Sequence, residues 1–148
     1  MSKSDCCHLY FVISSQQLLA LNALVPNVPD TVDQYCLIFY NTRFKFSLPR
    51  CEIRYYAMDS YLGYLRALWR FAIDIRKLRR NYQKCIIFIS HPWHIPTNYA
   101  LFSLRHEEAY MLPDGLLNYS DTQVEKRPYR KMLVKVALGL FSCLPYRP

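Results

Sequence analysis

An aspartate followed by a glycine stands where an apolar run stops. Tyr110, Met111 and Leu112 lead into Pro113, Asp114 and Gly115, and Asn118 and Tyr119 follow. Ligands of open α/β sheets bind outside the carboxyl ends of the strands, so a carboxylate where a strand hands over to a loop is placed for proton abstraction. Gly115 removes the side chain that would hold a substrate away from the backbone. Asp114 is therefore a candidate catalytic base, with Gly115 and Asn118 as candidate substrate contacts. The plainer reading is a turn, because Asp-Gly is a common turn dipeptide and turn chemistry accounts for the pair by itself.

Three other groups of residues could do chemistry. Ser14, Ser15 and Gln16 stand between an apolar run and a helical pattern. The N–H groups of a helix start there could hold a phosphate or carboxylate; simple capping by Ser is the competing account. His91 and His94 flank Pro92 and Trp93. Two histidines three apart could bind a metal or a sugar phosphate, but zinc normally takes three or four protein ligands, and His106 and Glu107 lie well beyond. A plain loop ranks first here, an anion or sugar contact through His91 second, and a metal last. The fourth group is basic: Arg76, Lys77, Arg79 and Arg80, then Lys126, Arg127, Arg130, Lys131 and Lys135. These read as two solvated helix faces or as a peripheral contact with anionic lipid, worth roughly 1 kcal/mol per cation near the surface. No motif of a known nucleic-acid reader is present. No Ser-His-Asp or Cys-His order is legible.

The elements that must position these residues follow from the apolar patterning. Leu9 to Ile13 reads as a strand, and Gln16 to Val25 as a helix with Leu18, Leu21, Asn22 and Val25 at helical spacing. Ser14 or Ser15 caps that helix, and Pro26 and Pro29 end it. Gln34 to Tyr40 reads as a buried strand and Cys51 to Tyr56 as a strand nearer an edge. Asp59 or Ser60 caps a long helix over Tyr61 to Tyr82. Its expected apolar side is Leu62, Leu65, Leu68, Trp69, Ala72, Ile75 and Leu78, flanked by Ile73, with Arg66, Arg70, Asp74 and Lys77 opposite. Lys84 to Ile89 suits the sheet centre. Thr97 to Arg105 reads as a short helix, Ala109 to Leu112 as a strand, and Pro128 to Leu144 as an amphipathic helix. Strands alternating with helices imply an α/β fold with a mainly parallel, doubly wound, Rossmann-like sheet.

Bulk composition narrows the classes further. The 148 residues suffice for one domain, and 52% hydrophobic and 16% aromatic residues argue against disorder. With 3 Gly and no glycine-rich phosphate loop, dinucleotide and P-loop sites lack support. The net charge of +8 points to an anionic partner. The 6 cysteines form no metal-binding pairs and several lie in apolar runs, as buried free thiols do in a reducing compartment. No signal peptide and no run long enough to span a membrane is visible.

The segment from Leu9 to Ala23, a strand followed by a helix opening Ser-Ser-Gln-Gln, resembles the start of the bacterial lipooligosaccharide sialyltransferases and capsular polysialyltransferases. Tyr110 to Tyr119 is similar to their acidic-acidic-Gly motif. The resemblance implies a GT-B glycosyltransferase of two Rossmann-like domains, of which this chain supplies the N-terminal, acceptor-side one. It implies transfer of sialic acid from the donor CMP-sialic acid to a cell-surface polysaccharide or lipooligosaccharide glycan, with no metal and no further cofactor. The base role would fall to Asp114, although Pro113 stands where the family has its first acidic residue. The family's phosphate-binding His-Pro lies downstream of the acidic motif, whereas His91-Pro92 lies upstream, so that role is not carried over. On this reading residues 1–125 form the acceptor-side domain. Residues 126–148 form an amphipathic helix and the start of a linker, and the chain is expected to be inactive alone. It would work in the cytoplasm, peripherally on the inner membrane through Arg76, Lys77, Arg79, Arg80, Arg130 and Lys131. The alternative is a non-catalytic basic α/β module that binds an anionic membrane surface or nucleic acid.

Overall fold

Contiguous apolar runs become parallel strands. The structure, a computed structural model, describes residues 4–40, 46–89, 94–104 and 106–112. In chain order these give β1 (Ser4–Val12), α1 (Ser15–Leu24), a single 3-10 turn (Val25–Asn27), β2 (Asp33–Tyr40), β3 (Cys51–Ala57), α2 (Tyr61–Asn81), β4 (Tyr82–Ile89), α3 (Ile95–Ser103) and β5 (His106–Met111). The strands form one sheet in the order β3-β2-β1-β4-β5, and every neighbouring pair is parallel. This is the Rossmann-like order, with its direction of travel reversing at β1.

That reversal explains the layers. Crossovers in parallel sheets are right-handed, so helices that follow opposite directions of travel cover opposite faces. Leu18 and Leu21 of α1 and the adjoining Val25 pack with Tyr10, Val12, Cys36 and Ile38 on one face. On the other face, α2 and α3 bring Phe71, Ile75, Leu78, Ala100 and Leu101 against Leu9, Phe11, Leu37, Phe39 and Ile87. Phe71 lies at the middle of that side, with ring centroids 5.3 Å from Phe39, 5.6 Å from Tyr56 and 5.9 Å from Phe11.

Ser60 caps α2, its hydroxyl accepting the Gly63 N–H at 3.0 Å. A Cβ at Gly63 would run into the Asp59 carboxylate and the Ser60 hydroxyl. Arg79 and Arg80 close the last turn, where cations offset the helix dipole.

The face α2 turns inward is rotated from the one expected: Leu68, Ile75 and Leu78 lie inside as expected, but Ala67 and Phe71 join them in place of Leu62 and Trp69. Ala67, Leu68, Phe71, Ile75 and Leu78 are buried, whereas Leu62 and Trp69 are 73% and 64% exposed. The helix carries two apolar stripes on opposite sides, and Phe71 decides between them by filling the aromatic centre of the core. Asp74, expected outside, is half-buried and bonded to Tyr56.

Two smaller differences come from backbone pairing at strand ends. β1 starts at Ser4 because Ser4 and Cys6 pair with Tyr82 and Lys84. β5 starts at His106, which pairs with Cys85. β4 is internal but β1, with neighbours on both sides, is the middle strand. α3 begins two residues earlier than expected, with Pro in its first turn. β3 does lie at an edge.

Cys6, Cys7, Cys36, Cys51 and Cys85 are free thiols, and Cys143 lies outside the described residues. Cys7 and Cys85 sit opposite each other with their sulfurs 3.4 Å apart. Burial pushes the Cys36 thiol up, and Cys51 is pushed up to about 12, mainly by burial. Among the described residues, no helix is long and apolar enough to cross a membrane. The amphipathic segment expected over residues 128–144 lies outside the described residues.

Candidate functional site

The carboxyl edge of the sheet, where β1 and β4 run side by side and the crossovers diverge, is the position at which open α/β sheets take ligands. β1 ends at Val12 and α1 begins at Ser15, so the turn between them is short. Ser14 has extended backbone and caps α1 in a reciprocal box with Gln17. The Gln17 side-chain oxygen accepts the N–H of Ile13 at 2.7 Å and that of Ser14 at 3.2 Å. Gln17 is fully buried, while Ser15 and Gln16 are exposed and Ser14 is half-buried.

The three sequence candidates at this turn therefore divide. Ser14 belongs to the capping arrangement. Ser15 and Gln16 project from the first turn of α1, where backbone N–H groups lack intrahelical acceptors and the dipole favours anions. Gln17, which fixes the turn, was not singled out from the sequence. Its signal was there: Ser14 to Gln17 is the S-x-x-Q pattern of a capping box.

α3 supplies the facing side. It begins after β4, and Thr97 and Asn98 in its first turns are buried polar residues. The Asn98 N–H donates to the His94 carbonyl at 2.9 Å. His94, at the N-cap position of α3, packs edge-on against Phe39 with centroids 5.2 Å apart. The spacing of Asn98, Leu101 and Phe102 predicts a short helix but does not reveal that Asn98 lies buried in its first turns, just after β4. A polar pair on the inner face of an otherwise apolar helix, just after a strand, was the available signal.

β5 reaches the same edge. The Leu112 N–H donates to the Ile89 carbonyl at 2.6 Å, so pairing continues to the end of β4. The chain then passes to residue 113. Asp114, Gly115, Asn118 and His91 lie outside the described residues, as do Arg130 and Lys131. Among the described residues, no group of three or more His, Cys, Asp or Glu side chains could hold a metal ion.

A second polar cluster lies under α2 and is bonded within itself. The Tyr82 hydroxyl donates to Asp33 Oδ2 at 2.6 Å and lies 2.7 Å from the Tyr35 hydroxyl. Arg54 stands over the Tyr35 ring at 5.1 Å. It pairs with Glu52 at 2.6 Å and with Asp74 at 3.3 Å, and Asp74 accepts the Tyr56 hydroxyl at 2.8 Å. Burial, then the bond to Asp33, pushes the Tyr82 phenol up; burial, then the bond to Asp74, does the same for Tyr56. These phenols stay protonated and committed, so the cluster joins elements and offers no free base.

Comparison with protein-family models finds no match, and comparisons with curated proteins and with solved structures find none either.

Proposed function

We propose that this chain is the acceptor-side, Rossmann-like domain of a sialyltransferase-like glycosyltransferase, and that it holds a glycan at the carboxyl edge between β1 and β4. The reading is supported by one juxtaposition. The reversal of strand order sits beside the exposed Ser15 and Gln16, at the same edge from which β5 leads toward Asp114. Ser and Gln side chains donate and accept hydrogen bonds, as sugar hydroxyls require. The Asp114 carboxylate takes the proton of an acceptor hydroxyl. That oxygen then bonds to the anomeric carbon of sialic acid, and CMP leaves with the electron pair of the broken bond.

Calorimetric titration with sialylated oligosaccharides tests this. The double substitution Ser15→Ala and Gln16→Ala is expected to weaken glycan binding by about fivefold or more. Its stability should stay within about 0.5 kcal/mol of the parent, because both side chains are exposed. No glycan binding by the parent chain, or equal binding by the variant, sinks the reading. The outward face of α2 favours a second reading, attachment to an anionic surface, which is compatible with the first.

A further inference from the structure

The outward face of α2 combines three features that a merely solvated helix does not need. Leu62, Trp69 and Ile73 lie on one side of the helix at spacings of seven and four, and are 73%, 64% and 37% exposed. Arg66 and Arg70 flank them, and Arg76, Lys77 and Arg80 continue the same side to the end of the helix; all five are exposed. No carboxylate interrupts the stripe. Asp74 is the only acidic residue of α2, and it is turned inward to Tyr56 and Arg54. The inner stripe of Ala67, Phe71, Ile75 and Leu78 is already buried against the sheet, so packing among the described residues does not use the outer one.

We infer that this face seats the protein on an anionic lipid surface, with Leu62, Trp69 and Ile73 entering the boundary between headgroups and acyl chains and the cations contacting lipid phosphates. From Leu62 to Arg80 the stripe runs about 27 Å at the rise of an α-helix, enough for many headgroups. A helix with Lys and Arg beside exposed Trp and Leu has the composition that lies in a bilayer interface. Arg and Lys stems can lie along apolar surface while their charges stay wet.

The same observations weigh against other occupants. A nucleic-acid duplex offers phosphates to the cations, but its backbone gives an exposed Leu, Trp and Ile no apolar partner. A second copy docked on the same patch by twofold symmetry would set cations against cations. The stripe holds whether or not the carboxyl edge binds a glycan, so the two readings fail separately.

Vesicle flotation tests the inference. Vesicles of phosphatidylcholine with about one-third phosphatidylglycerol should carry the protein at low ionic strength and release it as salt rises, while pure phosphatidylcholine should not. The triple substitution Arg76→Gln, Lys77→Gln and Arg80→Gln should reduce partitioning about a hundredfold, at about fivefold per cation. Leu62→Ser with Trp69→Ser should reduce it about tenfold or more, and these exposed positions leave folding intact by circular dichroism. In a Trp93→Phe background, Trp69 emission should shift to the blue on adding mixed vesicles. Three results would overturn the inference: equal partitioning by the triple variant, binding to duplex DNA with none to mixed vesicles, or a lipid-free dimer abolished by Trp69→Ser.

Discussion

Two polar regions border the core, and they use their polar groups in opposite ways. Under α2, Asp33, Tyr35 and Tyr82 bond to one another, and Glu52, Arg54, Asp74 and Tyr56 do the same. At the carboxyl edge between β1 and β4, Ser14 and Gln17 and their backbone partners are consumed in this way, while Ser15 and Gln16 remain exposed beside them. The first region spends its hydrogen bonds on joining β2 to β4 and β3 to α2. The second fixes a turn and leaves side chains at its rim. Polar groups next to a stiff backbone, and not already bonded to one another, are the ones a ligand can use.

Asp74→Ala should have the largest effect on this contrast. It leaves the Tyr56 hydroxyl without its acceptor and the half-buried Arg54 with Glu52 alone, at a cost of about 2–3 kcal/mol in urea unfolding. A loss below about 1 kcal/mol would mean that the cluster does not hold α2 to β3. Gln17→Ala should cost less, about 1–2 kcal/mol, because it removes a cap and frees two backbone donors. Hydrogen exchange should then accelerate at Ile13 and Ser14 and stay unchanged in α2; protection of both amides in the variant would refute the role of Gln17.

The smallest effect is expected midway between the two regions. Burial holds His8 below its ordinary value, and its ring packs on Phe88 with centroids 5.5 Å apart. The Tyr10 hydroxyl donates to Gln34 at 2.9 Å, so the contact of His8 Nδ1 with that oxygen at 3.3 Å is made by a neutral ring donating its N–H. A lowered folded-state value means that the unfolded chain takes the proton first. Stability is full above the ordinary histidine value of about 6.5 and falls as pH drops from there through the folded value. His8→Phe keeps a ring packed against Phe88 and should flatten that part of the stability profile between neutral and mildly acidic pH. Parallel profiles for parent and variant would show that His8 does not contribute to it.

The sequence carried the strand cores because Leu9 to Val12, Gln34 to Tyr40 and Lys84 to Ile89 are apolar runs that both faces of the sheet bury. It did not carry the strand ends. Ser4, Gln83 and His106 enter the sheet by backbone pairing, which any residue can make. The inner face of α2 was ambiguous for a different reason: periodicity locates apolar stripes but cannot say which of two faces the sheet. Burial of Asn98 and Thr97 was equally hidden, since it depends on where α3 lies against the sheet edge. At the carboxyl edge the cap-forming Ser14 was legible from its type, and the division of labour among Ser15, Gln16 and Gln17 was not.

The strand order also sets a timetable. β1 pairs with β2, which follows it closely in the chain, and with β4, whose Cys85 lies 78 positions beyond Cys7. During synthesis β1, α1, β2 and β3 are all made before β4 exists. One side of β1 then stays an open edge, and Leu9, Tyr10, Phe11 and Val12, each fully buried in the finished protein, are there to recruit another chain. Long-range parallel pairing of this kind is slow to form. The arrival of β4 at the middle strand is thus the step at which productive folding competes with aggregation, and the yield of folded protein should depend on how quickly α2 carries β4 across the sheet.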